Sequence, residues 1–273
     1  MNYLDGKELA KREEKNLSEV IKAKYITPKL VIISCGDDPA SAVYMRNKKK
    51  AAARIGIECE EINFNREITN NDLLNKIREL NNDDSVSGII VQLPIPRHLN
   101  VNLIQDEIAP EKDVDGFSLK SKFEPCTPLG CLRLIDDKHL SVAGKHCVVI
   151  GRSEIVGKPL AKMLLARNAT VTQCHSKTPT ELLKKMCLNA DFIFSAAGKV
   201  NLIQPDFIKE GCVLVDISIN YNEDGKLCGD AAPECAEKCS YISPVPGGVG
   251  PMTVNTLMKN TVAAAIIQKM KNN

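Results

Sequence analysis

Short apolar runs recur along the chain, and each is separated from the next by a segment with helical periodicity. Runs of this length, bounded by glycine, proline or polar residues, are typical of buried strands. Strands that alternate with helices predict a parallel sheet covered by helices, the α/β class. Ligands of such sheets bind beyond the carboxyl ends of the strands, so the residues after each run are candidates for function. The predicted strands are Leu30–Ile33, Ile57–Phe64, Val86–Leu93, His146–Ile150, Ala169–Cys174, Asp191–Gly198 and Cys212–Ile217.

Composition disfavours several classes of partner. The formal net charge of +2, without an arginine-rich tract, argues against nucleic acid. No run is long and apolar enough to span a membrane, and Met1–Lys7 lacks the apolar core of a secretion signal. The 11 cysteines are scattered without a Cys-x-x-Cys pair, so we expect reduced core thiols and no metal site. The sequence predicts a cytoplasmic protein of one large domain or two modest ones.

Tyr44 and Lys48 lie four residues apart in a segment that we predict to be a helix, capped by Ser41 and ending near Gly56. This spacing places both side chains on one helix face, whereas Lys49 and Lys50 point elsewhere as solvated charges. Taken alone, a Tyr-x-x-x-Lys spacing is more often a solvated basic face than a site. The turn-like residues Gly36–Pro39 come directly before this helix.

Two later segments carry polar residues where ligands of a parallel sheet bind. Gln92 stands at the end of the strand that Pro94 and Pro96 terminate. Asp113 and Asp115 lie close together in the loop that ends the first α/β unit. Acidic loops are usually solvated turns, and the residues alone favour that interpretation for both aspartates.

In the second half, the strand that ends at Ile150 runs into a glycine turn and then a helix. The turn Gly151-Arg152-Ser153 is followed by Ile155, Val156 and Gly157, which is not a Gly-x-Gly-x-x-Gly pattern. A strand, a glycine turn and a helix N-terminus together form an anion site. About 20 residues later, an NAD-binding fold usually carries an acidic residue, but here Ser176 and Lys177 stand in that neighbourhood. With Arg152 available as well, we predict that NADP is the cofactor.

Two further features are less specific. His175 comes at the end of the next predicted strand, and nothing in the sequence makes it a base or a ligand. The segment 243–253 combines prolines and glycines and leads into a closing helix. Its open backbone could approach a ligand closely, or it could be a simple connection.

The motifs in this order resemble the bifunctional methylenetetrahydrofolate dehydrogenase and methenyltetrahydrofolate cyclohydrolase family (the FolD family) over essentially the whole chain. The segments that carry the resemblance are Asp38–Ser41 with Tyr44 and Lys48, Val91–Pro96, Lys112–Phe117, Pro125–Gly130, Gly151–Ser153 with Ile155–Pro159, Cys174–Ser176 and Pro244–Thr253.

The resemblance implies an enzyme of one-carbon metabolism and purine biosynthesis with two activities. NADP takes a hydride from 5,10-methylenetetrahydrofolate, and water then adds to the 5,10-methenyl cation to give 10-formyltetrahydrofolate. In this family Lys48 would activate water and shuttle protons, and Gln92 would hold that lysine by a hydrogen bond. Asp115 would hold the pterin ring, and Tyr44 would pack against the aminobenzoyl group. A lysine in such a role needs neighbours or burial that lower its pKa.

The resemblance also assigns residues to the ligand sites. Those assigned to the substrate loop are Pro246, Gly247 and Gly250, and those assigned to NADP are Gly151, Arg152, Ser153, Ile155, Val156, His175, Ser176, Ala197, Gly198 and Ile219. Two positions depart from the family pattern: Ser218 replaces a common glycine, and Ala231 replaces the usual valine. Both lie on the expected nicotinamide side, where they would affect the dehydrogenase.

The expected architecture is two α/β domains, residues 1–122 and 123–251, with the folate- and NADP-binding cleft between them. The second is a Rossmann-type domain. By resemblance, the closing helix 252–273 packs back on the first domain, and the protein is a homodimer that binds tetrahydrofolate one-carbon derivatives.

Two other functions remain open on the sequence. A dehydrogenase of another small substrate would explain the second half and leave Tyr44, Lys48, Gln92 and Asp115 as unrelated surface residues. A catalytically idle nucleotide-binding regulator could use the same fold. The intact set of Lys48, Gln92 and Asp115 disfavours the idle protein.

Overall fold

The computed structural model describes residues 2–36 and 39–272, without the side chains of residues 39–41 and 272. The helices are α1 (Gly6–Lys24), α2 (Pro39–Ile55), α3 (Asn70–Asn81), α4 (Val101–Glu107), α5 (Cys126–Asp137), α6 (Gly157–Ala166), α7 (Thr180–Leu188) and α8 (Val249–Asn272). The strands are β1 (Lys29–Cys35), β2 (Glu58–Phe64), β3 (Gly88–Val91), β4 (His146–Ile150), β5 (Thr170–Cys174), β6 (Phe192–Ser195), β7 (Cys212–Asp216), β8 (Asn220–Tyr221), β9 (Leu227–Cys228) and β10 (Cys239–Ile242).

The chain divides into two compact units. The three-stranded unit comprises Lys11–Cys126 and Val254–Asn273, and the five-stranded unit comprises Met1–Ala10 and Thr127–Thr253. None of the helices in the described part of the chain is long and apolar enough to cross a membrane.

In the three-stranded unit, β1 lies between β2 and β3, and all three strands are parallel. The apolar side chains of β1 are buried because helices cover both faces of this strand. α2 contributes Ala51, Ala52 and Ile55 to the core, and α8 contributes Leu257 and Met258. The carboxyl ends of the strands are therefore presented at one edge.

The five-stranded unit is a parallel sheet in the order β10-β7-β6-β4-β5, with β8 and β9 forming a separate antiparallel hairpin. Its first strand, β4, has β5 on one side and β6 on the other, so the strand order reverses at β4. This reversal defines the doubly wound fold, and the crevice at the reversal is where such sheets bind nucleotides. The α/β class and the Rossmann-type sheet predicted from the sequence are confirmed.

The N-terminal segment belongs to the five-stranded unit, which differs from the division at residues 122 and 123 expected from the sequence. The N–H of Leu4 donates to the carbonyl of Ile242 at 2.9 Å, and Leu4 is fully buried in the core of this unit. Gly6 packs so closely that an added Cβ would lie 1.8 Å from the carbonyl oxygen of Gly248. Hydrophobic patterning could not reveal this placement, because the segment joins a strand more than 200 residues away in the sequence.

Several element boundaries also differ from expectation. α2 begins at Pro39, so Ser41 lies inside its first turn and is not the cap. Asp37 and Asp38, predicted to form a turn, lie outside the described residues. α8 begins at Val249 and includes Pro251 in its first turn, where no N–H is needed for the helix. The predicted strands 86–93 and 191–198 are shorter than expected, because their last residues form loops at the carboxyl ends.

Candidate functional site

A lysine and a glutamine from separate segments meet in the three-stranded unit. Lys48 lies on the face of α2 that also buries Ala51 and Ala52, and only 8% of the lysine is exposed. Its Nζ donates to Oε1 of Gln92 at 3.0 Å. The Gln92 Nε2 donates to the Leu93 carbonyl at 2.7 Å, which directs Oε1 towards the lysine. The predicted Lys48–Gln92 pair is therefore formed, and the orientation of the Gln92 amide is set by the carbonyl of the next residue.

Gln92 reaches this position because it directly follows β3. Its N–H donates to the carbonyl of Ile33 in β1 at 2.8 Å, which extends the strand pairing by one residue. α2 follows β1 along the chain. Adjacent parallel strands end at the same edge of the sheet, so both residues lie at the edge where ligands bind.

Asp115 joins the pair through a short extension of the sheet. Asp113 forms a parallel bridge with Ile89, and the N–H of Ile89 donates to the carbonyl of Lys112 at 2.8 Å. The chain then carries Asp115 to the carboxyl end of β3. Burial raises the pKa of Asp115, whereas the positive charge of Lys48 and a hydrogen bond from the Cys126 thiol favour the charged carboxylate.

Asp113 and Asp115 have different environments, which the sequence alone did not distinguish. The Oδ1 of Asp113 accepts the N–H of Gly116 at 3.1 Å, and its Oδ2 accepts the N–H of Ser118 at 3.0 Å. Burial raises the pKa of Asp113 to about 6. Asp113 therefore closes its own loop, and Asp115 is the carboxyl group that faces the lysine.

The neighbours of Lys48 on α2 are placed as helical spacing predicts. Tyr44 lies one turn earlier, on the same face, with 37% of its surface exposed. Lys49 forms an ion pair with Glu61 and is not simply solvated, while Lys50 is exposed. The sequence reasoning missed Cys126, because only the tertiary structure brings its thiol beside Asp115.

The glycine turn after β4 is shaped by close backbone approaches. Gly151 has a φ of +127°, and an added Cβ would lie 2.5 Å from the Ala196 carbonyl oxygen. At Gly157, where α6 begins, an added Cβ would lie 2.4 Å from the Gly151 carbonyl oxygen. The Ser153 hydroxyl accepts the N–H groups of Val156 and Gly157 at 3.2 and 3.3 Å, which holds the turn against the start of α6.

The residues predicted to bind the cofactor follow adjacent strands of the sheet. His175 and Ser176 follow β5, the glycine turn with Ile155 and Val156 follows β4, Ala197 and Gly198 follow β6, and Ile219 follows β7. Pro246, Gly247 and Gly250 follow β10 in the same unit. These positions line one edge of the sheet in strand order, as an extended dinucleotide requires.

His175 shapes a turn. Its N–H donates to the Thr178 hydroxyl at 3.0 Å, and its Nδ1 accepts the N–H of Lys177 at 3.2 Å. Ser176, Lys177 and Arg152 are exposed. This turn thus presents a hydroxyl and a cation after β5, and the exposed Arg152 follows the adjacent strand β4.

Sequence reasoning missed a buried polar network in the five-stranded unit, although it singled out Ser218 and Ala231 as departures. Its carboxyl groups are Asp216 and Asp230, which are 3% and 0% exposed. The backbone N–H of Ala231 donates to Asp216 Oδ2 at 2.8 Å, which joins this residue to the network. The Ala231 methyl group packs on the neighbouring core. Ser218 donates to Asp230 Oδ2 at 2.7 Å.

The titration of Asp216 predicts an unusual pH dependence of stability. Burial raises its pKa to about 6, above the value of 3.8 in a model compound. Between these values the folded chain binds a proton that the unfolded chain does not, so stability from this group is present at low pH and lost as pH rises through about 6. In Asp216→Asn, the free energy of unfolding relative to the wild type should rise by up to about 3 kcal/mol between about pH 4 and pH 7.

Urea denaturation of both proteins at the two pH values checks this. The variant also loses hydrogen bonds of the aspartate side chain, but this loss is the same at both pH values. It therefore cancels when the difference in free energy of unfolding between variant and wild type is compared at the two pH values. A difference that does not change with pH would show that Asp216 does not titrate in this range.

The two sets of residues define a class of protein. A parallel sheet that reverses at a glycine turn is the architecture of dinucleotide-binding enzymes. Here it shares a chain with a unit that holds a buried lysine beside a carboxyl group, an arrangement suited to proton transfer. The class is a two-domain dehydrogenase with a second activity.

Two family models match: the tetrahydrofolate dehydrogenase/cyclohydrolase catalytic domain over residues 4–115, and the NAD(P)-binding domain of the same enzymes over residues 125–269. The chain belongs to the tetrahydrofolate dehydrogenase/cyclohydrolase family.

Relatives match over nearly the whole chain. Bifunctional protein FolD of Polaromonas naphthalenivorans is 45% identical over 275 residues, covering 96% of this chain and 97% of its own. A crystal structure of the bifunctional FolD enzyme from Campylobacter jejuni is 46% identical with a TM-score of 0.93, covering 97% of this chain and 98% of its own. The Trypanosoma brucei enzyme, crystallised with NADP and an inhibitor, is 32% identical with a TM-score of 0.92, covering 98% and 97%. The predicted family, fold class and pair of activities are confirmed.

Proposed function

We propose that this chain oxidises 5,10-methylenetetrahydrofolate with NADP and then hydrolyses the 5,10-methenyl product to 10-formyltetrahydrofolate, with Lys48 as the proton shuttle. The observation that carries the proposal is the hydrogen bond of 3.0 Å between Lys48 Nζ and Gln92 Oε1 beside Asp115. A solvated basic face would not bury a lysine against an oriented amide.

The glycine turn fits NADP. At Gly151 and Gly157 any Cβ would collide with the chain's own backbone, and tight turns and close helix–strand packing of this kind are what the glycines of a dinucleotide-binding turn provide. Arg152 and Ser176 are exposed at the ends of adjacent strands and would hold the 2'-phosphate. When bound, NADP supplies the hydride acceptor. In this step the protein aligns the nicotinamide with the one-carbon bridge through Ala197, Gly198 and Ile219, which would border the nicotinamide.

The hydrolytic step needs proton transfers that the Lys48 group would supply. Water attacks the methenyl carbon, and the Lys48 amine takes a proton from it. The bond from that carbon to ring nitrogen N5 then breaks as the lysine returns this proton to N5, while the hydroxyl left on the carbon loses its proton to solvent and becomes the formyl carbonyl. Gln92 keeps the amine at one position, Asp115 holds the pterin ring by hydrogen bonds, and Tyr44 packs against the aminobenzoyl group one helix turn away.

The defining experiment follows methenyl absorbance with purified protein, 5,10-methylenetetrahydrofolate and either NADP or NAD. Methenyl formation with NADP is expected. No methenyl with either cofactor would contradict the dehydrogenase and favour the idle regulator.

The cofactor preference depends on Arg152. We expect kcat/KM to be at least about tenfold higher with NADP than with NAD, because a charged guanidinium binds a phosphate more strongly than a hydroxyl. Arg152→Ala should raise the KM for NADP about tenfold and leave that for NAD nearly unchanged. Arg167→Ala, which breaks an ion pair with Asp136 at the other end of α6, is the matched control. A wild-type preference for NAD would overturn this assignment of Arg152 and Ser176.

A cytoplasmic location and a homodimer remain predictions. Cell fractionation and sedimentation of the purified protein would test them.

A further inference from the structure

Three consecutive N–H groups after β6 are held by the buried network. The N–H of Ala197 donates to Asp230 Oδ2 at 2.8 Å, and the N–H of Lys199 donates to Asp230 Oδ1 at 2.8 Å. The N–H between them, that of Gly198, donates to the hydroxyl of Ser218 at 3.0 Å. Ser218 in turn donates to Asp230 Oδ2 at 2.7 Å. One carboxylate and one hydroxyl therefore hold the whole 197–199 segment.

Asp230 accepts every hydrogen bond that it makes in this network, whereas Ser218 both donates and accepts. Among the described residues, five donors point at the Asp230 oxygens: the hydroxyls of Ser195 and Ser218, the N–H groups of Ala197 and Lys199, and the amide of Asn220. The Ser218 proton is used towards Asp230, so its oxygen is the acceptor for Gly198. Ser218 is 8% exposed, and water has little access to replace the hydroxyl.

The side of this segment away from the network is open. Ala197, Gly198 and Lys199 are exposed, although their N–H groups point inward. Gly198 has a φ of +67°, and an added Cβ would meet nothing within 4 Å. A segment with its amides occupied cannot offer an anion cradle, so it can contact a dinucleotide only through its surface shape and its remaining carbonyl groups. The segment is therefore not a phosphate site, and the exposed Arg152 side chain after β4 remains the candidate for that role.

We propose that Ser218 is a positioning residue for the cofactor: through the Gly198 N–H it holds the 197–199 segment in the conformation that receives the nicotinamide ring of NADP, which carries no phosphate. This inference rests on the proposed NADP-dependent function and extends it to a buried residue that acts through the 197–199 segment.

The test measures NADP binding by calorimetry and both activities of the full chain. Ser218→Ala should raise the Kd and KM for NADP about tenfold, because a buried N–H loses its acceptor and the segment loses its fixed conformation. The kcat for hydrolysis of added methenyltetrahydrofolate should stay within about twofold, since Lys48 belongs to the other unit.

Two further variants separate positioning from general loosening. Ser195→Ala removes another hydroxyl from Asp230 Oδ2, at 2.7 Å, but leaves the Gly198 acceptor in place. Ser195→Ala should lower the thermal unfolding temperature at least as much as Ser218→Ala does. Its increase in the Kd for NADP should be several-fold smaller than the increase in Ser218→Ala. Ser240→Ala is the basal control, because that hydroxyl bonds the Gly211 carbonyl at the amino end of the same sheet.

Equal weakening of NADP binding in Ser195→Ala and Ser218→Ala would overturn the proposal, as would unchanged binding in Ser218→Ala or a parallel loss of hydrolysis. Calorimetry distinguishes this failure from failure of the proposed function. A wild-type protein that binds NADP without forming methenyl would contradict the function, and the comparison of Kd values would still decide the role of Ser218.

Discussion

Lys48→Met should abolish hydrolysis of added methenyltetrahydrofolate while NADP still binds. Methionine matches the length of the lysine stem but has no group that carries a proton, so the water and N5 lose their relay. Loss of a positioned acid–base group costs about 100- to 10,000-fold in rate. The measurement is the decay of methenyl absorbance after addition to the enzyme, corrected for the spontaneous reaction, with NADP affinity measured in parallel.

Lys49→Met is the matched control. Lys49 is adjacent in sequence but pairs with Glu61 on another part of the helix surface. It should retain hydrolysis close to the wild-type rate. A loss of hydrolysis in Lys48→Met of less than about 100-fold, or an equal loss in Lys49→Met, would show that Lys48 is not the proton shuttle.

Gly157→Ala should produce the opposite result: loss of NADP-dependent oxidation with hydrolysis retained. A Cβ at this position would lie 2.4 Å from the Gly151 carbonyl oxygen and 2.8 Å from the Arg152 backbone nitrogen. Backbone atoms cannot yield as a flexible side chain would, so the glycine turn must move away from α6. The Kd for NADP should rise by at least about 100-fold, because a displacement of about 1 Å at a positioned site has effects of this size.

Gly144→Ala controls for the loss of a glycine in the same unit. Gly144 has a φ of +71°, but an added Cβ would meet nothing within 4 Å, so the cost is conformational and about 1 kcal/mol. Its NADP affinity should be close to that of the wild type. Normal NADP affinity in Gly157→Ala would contradict the role of the glycine turn in NADP binding. Hydrolysis that falls together with oxidation would contradict the assignment of hydrolysis to the Lys48 group of the other unit.

Local patterns in the sequence were enough to predict much of the candidate site. Helical spacing separates Lys48 from Lys49 and Lys50, because each residue turns the side chain by about 100°. Strand ends identified Gln92 and the glycine turn, since parallel strands expose their carboxyl ends at one edge. The choice of Asp115 over Asp113 came from the family motif, because two acidic residues two positions apart look alike in a loop.

Contacts between distant segments could not be predicted in this way. The hydroxyl of Ser218 meets an N–H 20 positions earlier, and Asp230 reaches Ser195 across 35 positions. Such contacts depend on the order of strands in the sheet and on side-chain rotamers, and neither leaves a periodic pattern in the sequence. The same is true of the Cys126 thiol beside Asp115 and of Gly6 beneath Gly248.

The sequence by itself determined the α/β class, the family and the residues that stand at the ends of the strands, because periodicity and short motifs are local properties of the chain. Only the tertiary structure decided that Asp113 closes a loop while Asp115 faces Lys48, and that residues up to Ala10 join the five-stranded unit. It also decided that the serine at position 218 completes a buried network. The physical reason is that burial and hydrogen-bond partners are set by segments far apart in the sequence, which meet only when the chain is folded.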